Sequence, residues 1–160
     1  MTVNRWHSNP DPRLRNSGDT IDTHQRRVCD MCHSAAAWLR LPLINSDLLR
    51  AALRHDEAER VLGDMPGPAK EAFPALAAAY AKAELSVLTD MGYAWTLTRQ
   101  EAAILHLCDK LDAYEWAARC DAADTDEWKD ALDNRREEAL ALGLGEWLEM
   151  RLTRPDVVAS

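Results

Sequence analysis

Apolar residues along the chain recur at steps of three and four, and strict in-out alternation is nearly absent, so the pattern predicts helices throughout. From about Thr20 to Leu41 one apolar face can be traced through Val28, Cys32, Ala35 and Leu39, and Pro42 ends it. Ser46 offers an N-cap for a second helix, with Leu48, Leu49, Ala52 and Leu53 facing inward and Gly63 as its stop. Asp64-Met65-Pro66-Gly67-Pro68 reads as a loop. Pro74 then opens an alanine-rich helix to about Asp90, closed by Gly92. Thr98 with Glu101 forms a capping box ahead of Ala102, Ala103, Leu105, Leu107 and Leu111, in a helix reaching Arg119. Asp124 with Glu127 caps a fifth helix ending near Gly143, and a short last one covers Glu146 to Leu152. The breakers Asn9-Pro10-Asp11-Pro12 and Asn16-Ser17-Gly18 make residues 1–18 a loop or a short helix with a long connection. The predicted fold is all-α: one domain over 1–160, a bundle of about six helices without internal repeats.

Composition narrows the partners. At 160 residues and 47% hydrophobic, the chain can bury a core without staples. Its net charge of −8 argues against a nucleic-acid polymer, which needs a basic surface. A small anion remains feasible where a few cations or a metal converge. No secretory h-region and no apolar run of membrane-spanning length is visible, so no membrane partner is expected and the cytoplasm is the expected compartment. Four cysteines, Cys29, Cys32, Cys108 and Cys120, read as reduced thiols.

Titratable groups sit where the pattern places inner helix faces. His55-Asp56 follows a strongly apolar turn, and Glu59 falls four residues after His55 and three after Asp56, on the same face. His24 stands near the start of the first long helix, and Asp109 lies among Leu105, Leu107 and Leu111, where an unpaired carboxylate is costly. Two histidines and two carboxylates from three helices can hold one divalent transition ion and leave positions open for water and substrate. Zn²⁺, Co²⁺ and Mn²⁺ all accept such ligands. The bundle is therefore expected to surround a central metal.

The order His24, His55-Asp56, Asp109 resembles the metal-ligand pattern of the HD-domain phosphohydrolase superfamily. Arg5-Trp6-His7 and the stretch HDEAERVLGDMPGPAK, His55 to Lys70, look like the bacterial 5′-deoxynucleotidase subgroup, and the short length looks like its phage dATP triphosphohydrolases. The similarity spans about Asn4 to Asp112. It implies that His24, His55, Asp56 and Asp109 bind the metal and that Glu59 handles a proton beside the scissile ester. It further implies that Asp64 assists or binds the sugar, that Lys70 and Arg5 grip phosphate oxygens, and that Trp6 packs on the deoxyribose or base. Ser8 stands where a larger apolar side chain is expected to shape an adenine pocket, so base choice is expected to loosen.

The implied reaction is hydrolysis of a 2′-deoxynucleotide at its 5′ phosphate ester. The favoured form is a dATP-preferring triphosphohydrolase, with Mg²⁺ accompanying the triphosphate. The alternative on the same site is a dNMP 5′-nucleotidase; extra cations near Lys70, such as Arg26, Arg27 or Lys110, would favour the triphosphate. A catalytically silent nucleotide- or metal-binding regulator is the reading from another class, and the carboxylates Glu59 and Asp64 argue against it. Family members oligomerise, so a homo-oligomer is expected.

Other signals have plainer readings. Cys29-Asp30-Met31-Cys32-His33 matches the c-type haem motif, yet it sits in a continuous helix without an export signal, and small buried thiols are the simpler reading. A cysteine zinc site lacks a second pair at zinc-ribbon spacing. Trp38, Trp95, Trp116, Trp128 and Trp147 read as core or interface. His106, one turn before Asp109, reads either as orienting a ligand or touching phosphate, or as structural. Lys110 and Asp112 read as a surface ion pair.

Overall fold

The computed structural model describes residues 3–65 and 67–153, so Pro66 of the predicted loop lies outside the described residues. The architecture is all-α, and among the described residues no helix is long and apolar enough to cross a membrane. The first helix, α1, is a single turn, Pro12–Arg15, and the first long helix, α2, spans Ile21–Trp38. Asp11 caps α1 by accepting from the Arg13 N–H, and Thr20 and Thr23 form a reciprocal capping box at the start of α2. α2 stops short of Pro42 because Arg40 turns left-handed at φ 55°, and the Leu41 N–H then reaches back to the Ala36 carbonyl at 2.9 Å.

The predicted second helix is two short ones, α3 (Leu48–Ala52) and α4 (Glu59–Leu62), separated by successive turns. Ser46 accepts from the Leu48 N–H at 3.1 Å as the expected cap would, although Leu53 is left exposed. The predicted loop closes early, since α5 already begins at Gly67 and runs to Ala72. The alanine-rich α6 (Pro74–Asp90), α7 (Arg99–Arg119), α8 (Asp126–Ala141) and α9 (Gly145–Leu152) follow near their predicted limits. The cap of α8 is Thr125 rather than Asp124, whose carboxylate is taken by Arg13 at 3.0 Å.

α2 and α7 form the centre, with α3 against both, α8 against α7 and α9 closing the far end. Their contact faces follow helical spacing: Val28, Met31, Cys32 and Ala35 meet Ile104, Leu107, Cys108 and Leu111, and Leu48, Ala52, Leu144 and Leu148 complete the core. Ala102, expected to face inward, is exposed. α6 stands apart from this core, touching α4 and α5 and burying only Leu88.

Leu107 has no exposed surface, whereas Leu105 on the same helix is partly buried. Leu107→Ala should cost about 2–5 kcal/mol in urea unfolding, and Leu105→Ala clearly less. Equal losses at the two positions would contradict this packing.

Candidate metal centre

The site begins with the break between α3 and α4. Consecutive residues of a helix point about 100° apart, so a helical His55-Asp56 pair would splay. Side chains break the helical ladder here. His55 Nδ1 lies 2.8 Å from the Ala52 carbonyl, and the Asp56 N–H donates to Gln25 Oε1 at 3.2 Å. Gln25, buried in α2, also donates to Glu57 Oε1 at 3.0 Å. The backbone meanwhile closes three-residue steps, with the Glu57 N–H on Arg54 and the Glu59 N–H on Asp56. Both neighbours thereby turn toward one point.

At that point His24 Nε2 of α2 lies 3.1 Å from Asp56 Oδ2, 3.2 Å from Asp109 Oδ1 of α7 and 3.3 Å from His55 Nε2. His55 Nε2 lies 3.4 Å from Asp56 Oδ1 and 3.7 Å from Asp109 Oδ1. Donor atoms held about 2.1 Å from a divalent transition ion at near-tetrahedral or octahedral angles are separated by about 3.0–3.4 Å, which matches most of these spacings. The outer ring nitrogens fix the tautomers. His24 Nδ1 has Asp112 Oδ2 at 2.7 Å and His55 Nδ1 has the Ala52 carbonyl; both partners only accept, so each Nδ1 carries the proton. Once Nε2 gives up its proton in favour of a cation, both Nε2 lone pairs face the cluster. Two N–H groups could not share the 3.3 Å between them without clashing. His24, His55, Asp56 and Asp109 can together hold one metal ion, and among the described residues theirs is the one such grouping.

No protein-family model, curated protein or solved structure matches this chain. The chemistry of the site therefore rests on its own geometry.

Charge supports the metal reading. Burial and Arg5 pull His24 down, but hydrogen bonds to Asp109, Asp112 and Asp56 outweigh them and lift it to about 10. Burial likewise opposes the charged form of Asp109, yet bonding to His24 and His55 holds its carboxyl well below the usual range. Carboxylates so gathered demand positive charge at their centre, and a cation meets that demand.

Glu59, first residue of α4, is mostly buried, and burial with the charges of Asp56 and Asp64 pushes it up to about 8 against the pull of Arg5 and Lys70. The same charges act on Asp64, which burial raises and Lys70 opposes. Asp64 follows Gly63, whose φ 76° and ψ 163° fall where essentially only glycine is comfortable. The Tyr80 hydroxyl of α6 donates to the Gly63 carbonyl, and Lys70 Nζ lies 5.5 Å from the Tyr80 ring centroid. Glu84, one turn further along α6, is raised by burial and by Asp56 and Asp64, with Lys70 opposing. Arg5 reaches in from the N-terminal segment, 3.4 Å from both Asp109 Oδ1 and Asp112 Oδ2. Trp6 donates from its indole to Asp19 at 3.1 Å, lies under Arg5 and meets Trp128 edge-on.

Nine sequence-predicted residues thus lie in or around one site: the four cluster residues, Glu59, Asp64, Arg5, Trp6 and Lys70, while Ser8, two residues past Trp6, is exposed. His106 is not among them. It is exposed on the other side of α7, where its ring lies 3.9 Å from Glu138 of α8. Asp112 is no surface ion-pair partner of Lys110: it is 1% exposed and bonded to His24 and Arg27, while Lys110 pairs with Asp109 at 3.0 Å. Sequence reasoning also missed Asp19, Gln25, Tyr80 and Glu84. For Asp112 the helical step of three from Asp109 was a usable signal; for the others no spacing marks them. The cysteines take no part, since Cys32 and Cys108 are buried in the core and Cys29 donates to the Leu49 carbonyl.

Metal-stripped protein should bind one divalent transition ion per chain in a calorimetric titration, more weakly as pH falls because the ligands must lose protons. Asp109→Ala should lose more than the roughly 100-fold that removing an outer partner costs. Wild-type affinity in that variant would rule out this centre.

Proposed function

We propose that this protein is a metal-dependent phosphohydrolase of the HD-domain type that cleaves a 2′-deoxynucleotide at its 5′ phosphate ester. The observation that carries the reading is the convergence of two imidazole Nε2 atoms and two carboxylates within 4.8 Å, near the half-buried Glu59. A divalent cation held there supplies Lewis acidity, neutralising a phosphoryl oxygen and easing loss of a proton from water. Glu59 takes a proton from the attacking water or gives one to the leaving 5′-oxygen. Arg5 and Lys70 bind phosphate oxygens as charge gathers on them. Trp6, its ring fixed by Asp19 and Trp128, offers a face to the deoxyribose, and Asp64 lies within reach of the sugar. Water adds across the ester bond, and the products are a deoxynucleoside and the released phosphate chain.

The favoured substrate is a dNTP, dATP first, with triphosphate as the product and Mg²⁺ accompanying the substrate. The exposed Ser8 leaves base choice loose. One observation favours the dNMP reading. Arg27 spends its guanidinium on Asp19 and Asp112, and Lys110 pairs with Asp109, so two of the cations expected to meet a longer phosphate chain are already engaged. The exposed Phe73, Leu76 and Leu85 around α6 support self-association of the chain.

Metal-stripped protein should release deoxynucleoside from dATP only after a divalent ion is restored, followed by chromatography of every dNTP and dNMP. Triphosphate as co-product supports the favoured form, turnover of monophosphates alone replaces it with the second, and no turnover of any defeats both. Glu59→Gln should keep metal binding while turnover drops by about 10²–10⁴; near-normal turnover would remove its assigned role.

A further inference from the structure

Asp19 and Asp112 are each 1% exposed and neither belongs to the four-ligand cluster. Arg27 lies between them. Its Nη1 and Nη2 donate to the two oxygens of Asp19 at 3.0 Å each, and its Nε and Nη2 donate to those of Asp112 at 2.7 and 2.9 Å. The Trp116 ring stacks 4.4 Å from the guanidinium and holds its plane. A guanidinium is a rigid planar fork, so a shift of either carboxylate is felt by the other.

Each carboxylate has a second attachment. Asp112 Oδ2 meets His24 Nδ1 at 2.7 Å. Asp19 Oδ2 accepts from the Trp6 indole at 3.1 Å, and its backbone carbonyl accepts from the Arg5 N–H at 3.1 Å. The Ile21 N–H on the Val3 carbonyl, also 3.1 Å, closes residues 3–20 into a loop fastened at the head of α2. An unbroken run of charged hydrogen bonds thus joins a metal ligand to the segment that carries Arg5 and Trp6.

We infer that Asp19, Arg27 and Asp112 are positioning residues that couple His24 to this segment, so that cation binding and docking of residues 3–20 strengthen each other. Coordination through Nε2 polarises the imidazole and tightens its Nδ1–H bond to Asp112. A better fixed Asp112 holds Arg27, and Arg27 holds Asp19 beneath Trp6. Coupling of this kind is reciprocal: if the ion steadies the segment, the segment tightens the ion. The inference rests on the metal centre of the proposed function and is independent of which substrate is cleaved.

Two measurements on the full chain test it, Zn²⁺ affinity by titration and amide hydrogen exchange with and without Zn²⁺. In the wild type, Zn²⁺ should slow exchange at the Arg5 and Ile21 amides. Arg27→Gln, remote from the ion, should weaken Zn²⁺ binding by roughly tenfold or more and abolish that protection. Glu115→Gln breaks another buried ion pair of α7, with Arg151 at 2.5 Å, and should leave Zn²⁺ affinity unchanged even if stability falls. If Arg27→Gln does not fold, Trp6→Phe decides, since it removes only the indole donor to Asp19 and should still weaken Zn²⁺ binding measurably.

Zn²⁺ affinity within twofold of wild type in both variants, or unchanged exchange over residues 3–20 on adding Zn²⁺, overturns the inference. A wild type that binds no Zn²⁺ overturns it together with the metal centre. Turnover enters neither measurement. Lost coupling with hydrolysis intact defeats this inference alone, and coupling in a protein that hydrolyses no deoxynucleotide defeats only the proposed function.

Discussion

Anionic side chains are gathered inside a helical bundle, and the free energy of burying them must be met by positive charge. An isolated carboxylate moved out of water costs several kcal/mol even after relaxation. Asp19, Asp56, Asp109 and Asp112 lie together around His24 and His55. Arg27, Arg5 and Lys110 answer part of that charge from the outside. At the centre only two imidazoles are available, and each has committed its Nδ1 proton outward. A divalent cation at the centre could answer the rest of that charge. The break after α3, the docking of the N-terminal segment on α2 and the polar lower half of α7 all serve that balance.

Local rules made much of the fold legible, because the long helices carry their own start signals. Thr98 and Glu101 form the capping box their spacing predicts, and the apolar steps through Val28, Cys32 and Ala35 mark a face that is fully buried. The break between α3 and α4 was not legible. Nothing in LLRAALRHDEAERVL opposes a helix locally, and the interruption depends on Gln25, about thirty residues away, taking the Asp56 N–H. The four residues of the cluster could be named from residue type and inner-face position. For Asp112 the helical step of three from Asp109 hinted at the inner face, but its partners, Arg27 and His24, arrive from α2 and carry no local mark. His106 failed for the opposite reason: a helical step of three places it near Asp109 in projection, but α8 packs over that side of α7 and presents Glu138 to it.

Two arginines near the cluster separate by contact length. Arg27 makes four contacts between 2.7 and 3.0 Å to carboxylates that are themselves buried, which is the geometry of a structural clamp. Arg5 makes only long ones, 3.4 Å to Asp109 and Asp112 and 4.0 Å to Asp19, divided among three partners. Hydrogen bonds of that length are weak, so a phosphate oxygen can compete for Arg5 without dismantling the site. For Arg27 the same competition would leave two buried carboxylates unpaired. Of the two, Arg5 is therefore the residue free to serve an anion.

On the proposed function, this separation would let a chain of net charge −8, with Glu59, Asp64 and Glu84 near the cluster, still meet a phosphate ester. Arg5 and Lys70 act against the acidic groups around the cluster, and burial raises Glu59, Asp64 and Glu84 toward their neutral forms. A divalent cation in the cluster would add positive charge over the few ångströms that matter and would relieve the demand on Arg5 from Asp109. Cation and anion would then enter as partners, the first freeing the side chain that meets the second. On that reading the site would hold an anionic ester weakly until a cation is bound.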